Sequence, residues 1–269
     1  MSDRPVLVTG AAGLLGHWLL ATAPDRASVV ALVHRRPVDA VATVRGDLRD
    51  AAGVTDAVAS IAPRLVVHAA YEMDRASVVD ATLHLVAAAR AADAPVVFVS
   101  SDTVFRGDGI DRCEDDPPDP TFEYGRWKAD AERIVVEGCR NGAVVRLPLL
   151  VSIDPDDHSL LRIRVGVAAG HATGWYTDEI RRPVRAGDAA DGIWRIAQLA
   201  DDERAGCWHL VGPERLSRHD IARRMVERLE LPESAIEPAL RPDGDRPADL
   251  ALTDARARGV IGWDPEPIP

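Results

Sequence analysis

Short apolar runs alternate with longer amphipathic stretches along the first half of this chain. The runs at 5–9, 28–33, 41–44, 65–70, 95–100 and 143–147 read as strands. The stretches at 14–22, 50–61, 75–92 and 122–137 have the spacing of helices, and Ala23-Pro24 stops the first of them. Strands alternating with helices predict an α/β fold, a doubly wound parallel sheet whose ligands lie at the carboxyl ends of its strands. The segment 106–120 is polar and rich in Pro and Asp, which predicts an exposed loop. Past residue 151 the alternation fades. A polar turn at 154–157 leads to a helix at 158–169 and a loop or edge strand at 170–176. A helix at 187–199, a strand at 207–211 and a helix at 218–229 complete the pattern; Ser217 starts the last helix, with Asp220 in its first turn. Residues 1–150 therefore read as a nucleotide-binding domain of Rossmann type. Residues 151–269 read as a smaller α/β substrate-binding region, interleaved with the first at its edges.

Composition narrows the function classes. A net charge of −11 argues against general affinity for nucleic acid or anionic membranes, and leaves a small-molecule substrate as the expected partner. No run of 18 apolar residues is present, so no membrane span is expected. The first residues enter a strand at once, which predicts no signal peptide. Cys113, Cys139 and Cys207 are isolated, without metal-like spacing, and fit a reducing cytoplasm with no metal site. Aromatic residues make up 4% of the chain, so Ala, Val and Leu must build most of the core.

The candidate chemistry begins at the first strand's exit, Gly10-Ala11-Ala12-Gly13-Leu14-Leu15-Gly16. Strand, glycine turn and helix is the context in which this spacing marks a dinucleotide site. The glycines permit a tight turn, close approach of a pyrophosphate and tight helix–strand packing. The helix start at Leu14 and Leu15 offers unpaired N–H groups to the phosphates. His34-Arg35-Arg36 closes the second strand, where a carboxylate would bind the ribose of NAD(H). Two guanidiniums suit a 2′-phosphate instead, so NADP(H) is expected over NAD(H). Asp47-Leu48 follows the third strand; Asp47 either accepts a bond from an adenine amino group or caps the helix at 50–61. The small exit Ala69-Ala70, followed by Tyr71, lets a cofactor approach the fourth strand, and Ser100 at the end of the fifth completes the expected cofactor contacts. Ser101-Asp102-Thr103 lies at the same edge, where a hydroxyl can meet a substrate oxygen. Tyr124 and Lys128 share one helix face, about 5–6 Å apart at Cβ. An ammonium there favours the phenolate, which predicts a Tyr124 pKa below its free value of about 10. Such a phenol suits proton exchange with a carbonyl/alcohol pair.

These segments together resemble the extended short-chain dehydrogenase/reductase superfamily and, within it, the dTDP-4-dehydrorhamnose reductase family. Thr9 to Gly16 is similar to its cofactor fingerprint. Ser100-Ser101-Asp102-Thr103-Val104-Phe105-Arg106-Gly107-Asp108 is similar to that family's Ser-Thr-Asp-Tyr-Val-Phe-Asp-Gly segment. Glu114-Asp115-Asp116-Pro117, Tyr124-Gly125-Arg126-Trp127-Lys128 and Arg146-Leu147-Pro148-Leu149-Leu150 continue the likeness. Arg246-Pro247-Ala248-Asp249-Leu250-Ala251-Leu252 resembles its Arg-Pro-x-x-x-x-Leu element. The likeness is strong through residue 150 and weaker beyond.

The resemblance implies that Tyr124 protonates a substrate oxygen as hydride arrives from the nicotinamide. Lys128 would hold the nicotinamide ribose, and Ser101 would polarise the carbonyl. It also implies substrate contacts at Asp102 and Thr103. In a C-terminal lid, Arg181, Arg182 and Arg246 would meet a pyrophosphate and Trp175 would stack on a base or sugar. Two departures stand out. Val78 occupies the place where related enzymes often carry a proton-relaying asparagine. Asp102-Thr103 replaces the Asp-Glu of sugar-nucleotide dehydratases, which argues against dehydration. The expected activity is NADP(H)-dependent reduction of a keto group, most plausibly the 4-keto group of a nucleotide-activated deoxysugar. A nucleotide-sugar epimerase is one alternative. A non-catalytic NADP-binding subunit, like the β subunit of methionine adenosyltransferase, is the other. The sequence leaves the oligomeric state open, a homodimer among the options.

Overall fold

Successive residues of a strand face opposite sides of its sheet, and strand β1 (Val6–Thr9) feeds two cores in this way. Val6 and Val8 enter one and Leu7 the other. The computed structural model describes residues 4–242, 244 and 246–269. After β1 come α1 (Leu14–Ala21), β2 (Val29–Val33), β3 (Ala42–Arg45), α2 (Ala51–Ile61) and β4 (Leu65–His68). A π-wound turn (Ala76–Asp80) runs into α3 (Ala81–Ala91), followed by β5 (Val96–Ser101), β6 (Asp108–Arg112), α4 (Glu123–Gly138) and β7 (Ala143–Leu147). The C-terminal part adds β8 (Leu150–Val151), α5 (His158–Ala169), β9 (Thr173–Tyr176), β10 (Ile180–Arg181), β11 (Val184–Arg185), α6 (Ala186–Gln198) and α7 (Asp201–Arg204). It ends with β12 (Gly206–His209), β13 (Leu216–Ser217), α8 (Arg218–Arg228), β14 (Ile236–Ala239), β15 (Asp249–Leu252) and α9 (Ala255–Ile261).

The large sheet has seven strands in the order β12-β7-β5-β4-β1-β2-β3, and every pairing in it is parallel. The expected α/β, doubly wound architecture is therefore present. Chain direction across the sheet reverses between β1 and β4, and a crevice opens outside the carboxyl ends of the strands at such a point. One face is covered by α1 and α6, with Leu19, Ile193, Trp194, Trp208 and Trp263 in its core. The other is covered by α2, α3 and α4, with Val54, Leu85, Phe98 and Val135. β12 extends the large sheet, and the Trp194 indole donates to the Leu19 carbonyl at 2.9 Å. Residues 186–209 thus belong to the large body, and a boundary at residue 150 does not coincide with the sheet's edge.

The smaller region packs α5, α8, β9 and β14 around Leu160, Ile163, Trp175 and Met225. Ser217 caps α8 by accepting from the Asp220 N–H at 2.9 Å, and its hydroxyl donates to the Asp220 carboxylate. The segment 106–120 is not wholly a loop, because β6 within it pairs in parallel with β15. Its sequence, Asp-Gly-Ile-Asp-Arg, carries no apolar run, and its partner is supplied from far down the chain. Among the described residues, no helix is long and apolar enough to cross a membrane and no group of side chains is arranged to hold a metal ion.

Candidate active site

The glycine turn is forced by space. Gly10 has φ +75°, and a Cβ there would lie 2.6 Å from the Ala69 carbonyl carbon and the Ala70 nitrogen. Only glycine lets β1's exit lie against β4's exit so closely. Gly13 begins α1 without a side-chain cap, so the helix's first N–H groups, from Leu14 onward, have no side-chain acceptor. Gly16 sits behind the turn, where a Cβ would meet the Gly10 carbonyl oxygen at 2.2 Å.

Around this turn opens a cavity of about 520 Å³. It gathers Gly10, Ala12 and Gly13 from the turn, His34, Arg35 and Arg36 from β2's exit, Asp47 and Leu48 from β3's, and Ala69, Ala70 and Tyr71 from β4's. Eleven residues named from the sequence thus line one cleft. Leu14, Leu15, Gly16, Ser100 and Lys128 do not line it. The cleft also holds Arg49, Glu72 and Ser77, which the sequence reading missed. Arg49 donates through Nε and Nη2 to the two Asp47 oxygens at 2.9 and 2.7 Å, and holds that carboxyl well below its usual range. Asp47 does not cap α2. Asp50 does, accepting from the Ala52 N–H. Glu72 lies 3.7 Å from Arg35, a carboxylate that neither motif signalled. The size and the glycine cradle fit the adenosine and pyrophosphate half of a dinucleotide.

Tyr124 and Lys128 lie one turn apart on α4. Gly125 between them lets that helix press onto the 3-10 turn at Asp102–Val104, since a Cβ there would lie 2.3 Å from the Thr103 carbonyl oxygen. This contact sets Tyr124 beside the end of β5. Lys128 is only 3% exposed, and its Nζ donates to the Val99 carbonyl at 2.8 Å. The ammonium lies 4.8 Å from the Phe98 ring centroid, 5.2 Å from Tyr71 and 5.9 Å from Tyr124. The Tyr71 and Tyr124 rings are themselves 5.9 Å apart. Ser101 caps the 3-10 turn: its hydroxyl accepts from the Thr103 N–H and from the Thr103 Oγ1, and donates to Asp102 Oδ1. Asp102 is buried, its other oxygen has no partner, and burial pushes its carboxyl up to about 6.

Several expectations are corrected here. The Tyr124 pKa is raised, not lowered: burial dominates, and the Tyr71 and Asp102 charges add to it. Burial instead pulls the Lys128 ammonium down to about 7, against the opposing pull of Glu132. The tyrosine is therefore held protonated. Ser100 does not line the cleft; its hydroxyl donates to Glu132, which pairs with Arg146 in a buried bidentate bridge. Val78 lies in the π-wound turn, 1% exposed and unable to relay a proton.

Trp175 is 2% exposed, donates to Thr173 Oγ1, and lies beside the Arg162 and Arg218 guanidiniums. It belongs to the core of the smaller region and offers no face for stacking. Arg182 clips backbone together, donating to the Gly212 and Leu252 carbonyls. Arg246 and Arg181 both bind the buried Glu179 carboxylate, with Arg218 at 3.9 Å. Three guanidiniums around one carboxylate leave this cluster cationic, and only Arg246 is half-exposed.

The β subunit of methionine adenosyltransferase 2 from Pongo abelii is 28% identical over 256 residues, covering 88% of this chain and 75% of its own length. A hypothetical dTDP-4-dehydrorhamnose reductase from Sulfolobus tokodaii has a TM-score of 0.84 at 23% identity, covering 98% of this chain and 97% of that one. A Bacillus anthracis dTDP-4-dehydrorhamnose reductase in complex with NADP has a TM-score of 0.81 at 18% identity, covering 99% and 95%. The model for the RmlD substrate binding domain matches residues 4–258, and the chain belongs to that family.

Proposed function

We propose that this chain is an NADP(H)-dependent reductase of a keto group, with the 4-keto group of a nucleotide-activated deoxysugar as its substrate and Tyr124 as proton donor. One observation carries the reading: Tyr71 lines the dinucleotide cavity and also neighbours both Tyr124 and Lys128. The cofactor cleft and the proposed acid are therefore continuous. A nicotinamide cofactor bound in the cleft would supply the hydride. Tyr124, kept protonated by burial, then gives its phenolic proton to the developing alkoxide. The Ser101 hydroxyl now donates to Asp102 and can rotate toward a carbonyl oxygen. In its ammonium form Lys128 offers two further N–H donors beyond its bond to Val99, suited to ribose hydroxyls.

The preference for NADP(H) rests on Arg35 and Arg36 and on the lack of a carboxylate at β2's exit. Solved neighbours hold NADP in one case and NAD in another. A second reading, an NADP-binding subunit without catalysis, is supported by the likeness to the methionine adenosyltransferase subunit. NADPH oxidation with dTDP-4-keto-6-deoxysugars, set against simple ketones, separates the two. Stoichiometric NADPH consumption is expected, whereas an epimerase consumes none. Tyr124→Phe is expected to end turnover while leaving NADPH affinity nearly unchanged. Undiminished turnover in that variant would remove Tyr124 as the acid, and a chain that binds NADPH yet reduces no ketone favours the subunit reading.

A further inference from the structure

The Ser101 hydroxyl has one proton, and Asp102 holds it. Ser101 Oγ accepts from the Thr103 N–H at 3.2 Å and from Thr103 Oγ1 at 2.9 Å, which fills both of its lone-pair positions. Its own proton goes to Asp102 Oδ1 at 3.2 Å. A hydroxyl arranged in this way can donate to a substrate carbonyl only by leaving the carboxyl. Asp102 in turn depends on that bond. The side chain is 3% exposed, Oδ2 is without a partner, and Ser101 supplies its one side-chain hydrogen bond among the described residues.

The surrounding charges do not replace it. Arg181 favours the carboxylate, but that guanidinium pairs with Glu179 at 3.1 Å, and the Glu179 charge works the other way. Arg246 and Arg218 face the same Glu179 carboxylate. From α4 come Tyr124, held protonated, and Lys128, whose Nζ donates to the Val99 carbonyl. From β15, Leu250 and Leu252 pack with Val104 of the turn, and the Asp249 carboxylate is bound by Arg215.

We propose that Asp102 is a positioning residue that gates Ser101: as a carboxylate it withholds the hydroxyl proton from the substrate carbonyl, and as a neutral carboxyl it releases it. The role rests on the keto-reductase reading. A hydrogen bond to a carboxylate is stronger than one to a neutral carboxyl, so turning Ser101 toward a carbonyl is harder while Asp102 is ionised. That turn also leaves a buried carboxylate with neither oxygen bonded by a side chain, and a proton taken from solvent removes the cost. This proton returns to solvent when the alcohol leaves, so reduction still consumes only the proton that Tyr124 gives.

The test measures kcat/KM for NADPH-dependent reduction of a dTDP-4-keto-6-deoxysugar by the full chain and two variants, from pH ~5 to ~8.5. Asp102→Asn keeps the side chain's shape and cannot ionise. Its kcat/KM relative to the parent should climb about tenfold as pH rises, because the parent's carboxyl ionises at about 6, and should then level off. Taking the ratio at each pH removes limbs that belong to other groups, Lys128 at about 7 among them. Ser101→Ala is the second variant. The parent's advantage over it should shrink by a similar factor across the same interval, because ionised Asp102 has already withdrawn the hydroxyl. A packing role for Asp102 predicts ratios that do not change with pH. A flat ratio in Asp102→Asn, or in Ser101→Ala where the first variant does not fold, overturns the gating and leaves the reductase reading standing. A parent chain that reduces no ketone at any pH overturns both.

Discussion

Lys128 should destabilise the folded chain below neutral pH, and the size of that effect can be worked out. Its ammonium is 3% exposed, with one hydrogen bond, to the Val99 carbonyl. Burial brings its pKa from 10.5 to about 7 in the folded chain. Below that value the lysine is protonated in folded and unfolded chains alike, and the full cost of burying the charge is present. Between that value and 10.5 only the unfolded chain holds the proton, so stability rises with pH by about 1.4 kcal/mol per unit. Above 10.5 both forms are neutral and the dependence ends. Lys128→Met removes this term. Its stability relative to the unaltered chain should therefore be most favourable near pH ~6 and should fall by about 3 kcal/mol by pH ~9. Leaving the Val99 carbonyl without its donor costs about 1–3 kcal/mol at both pH values and cancels in the comparison. Denaturant unfolding at the two pH values measures the difference directly. A gap between the two proteins that stays constant with pH would refute the argument.

Two further substitutions test one corrected reading and one upheld by the packing. Trp175→Ala should cost about 3–5 kcal/mol of stability by emptying the core of the smaller region; a variant as stable as the parent in denaturant would return Trp175 to the list of ligand contacts. Gly10→Ala should lower the thermal midpoint and weaken NADPH together, because the new Cβ would lie 2.6 Å from backbone atoms of Ala69 and Ala70. Retention of both properties would show that the turn has room that its geometry denies.

Much of the large sheet was legible because its signals are local. The glycine spacing follows an apolar run directly, and the space it leaves is set by one neighbouring strand. What was not legible depends on burial and on distant partners. The Tyr124–Lys128 spacing identifies neighbours but does not say how far either is removed from water. Burial moves the phenol up and the ammonium down, so the direction of the Tyr124 shift came out opposite. Asp47 and Asp50 look alike as helix caps, and the fork from Arg49 that removes Asp47 from that role cannot be read from spacing. Trp175, in a region without strict alternation, resembled an exposed stacking platform. Its burial is set by α5 and α8 packing on either side, with Arg162 and Arg218 supplying the polar contacts.

The energetics of Lys128 also bear on the choice between an enzyme and a binding subunit. An ammonium sealed among three aromatic rings with one carbonyl partner is an expensive arrangement, and an apolar side chain of similar length would fit the same space at less cost. Costly, perturbed groups of this kind concentrate where chemistry or ligand binding uses them. If Lys128 serves binding alone, Lys128→Met should weaken NADPH while Tyr124→Phe changes nothing that can be measured. If the two form one proton-transferring unit, each substitution should end reduction, and the loss in the double variant should be no larger than in either single one, as expected for groups that act together. The Tyr124 ring lies 5.9 Å from the cavity-lining Tyr71 and 6.2 Å from Phe122, and the Asp102 charge helps to hold its phenol protonated. On the proposed reading, a phenol held protonated beside cleft-lining Tyr71 suits proton donation in reduction, while Tyr71 already supplies a ring at the cleft wall.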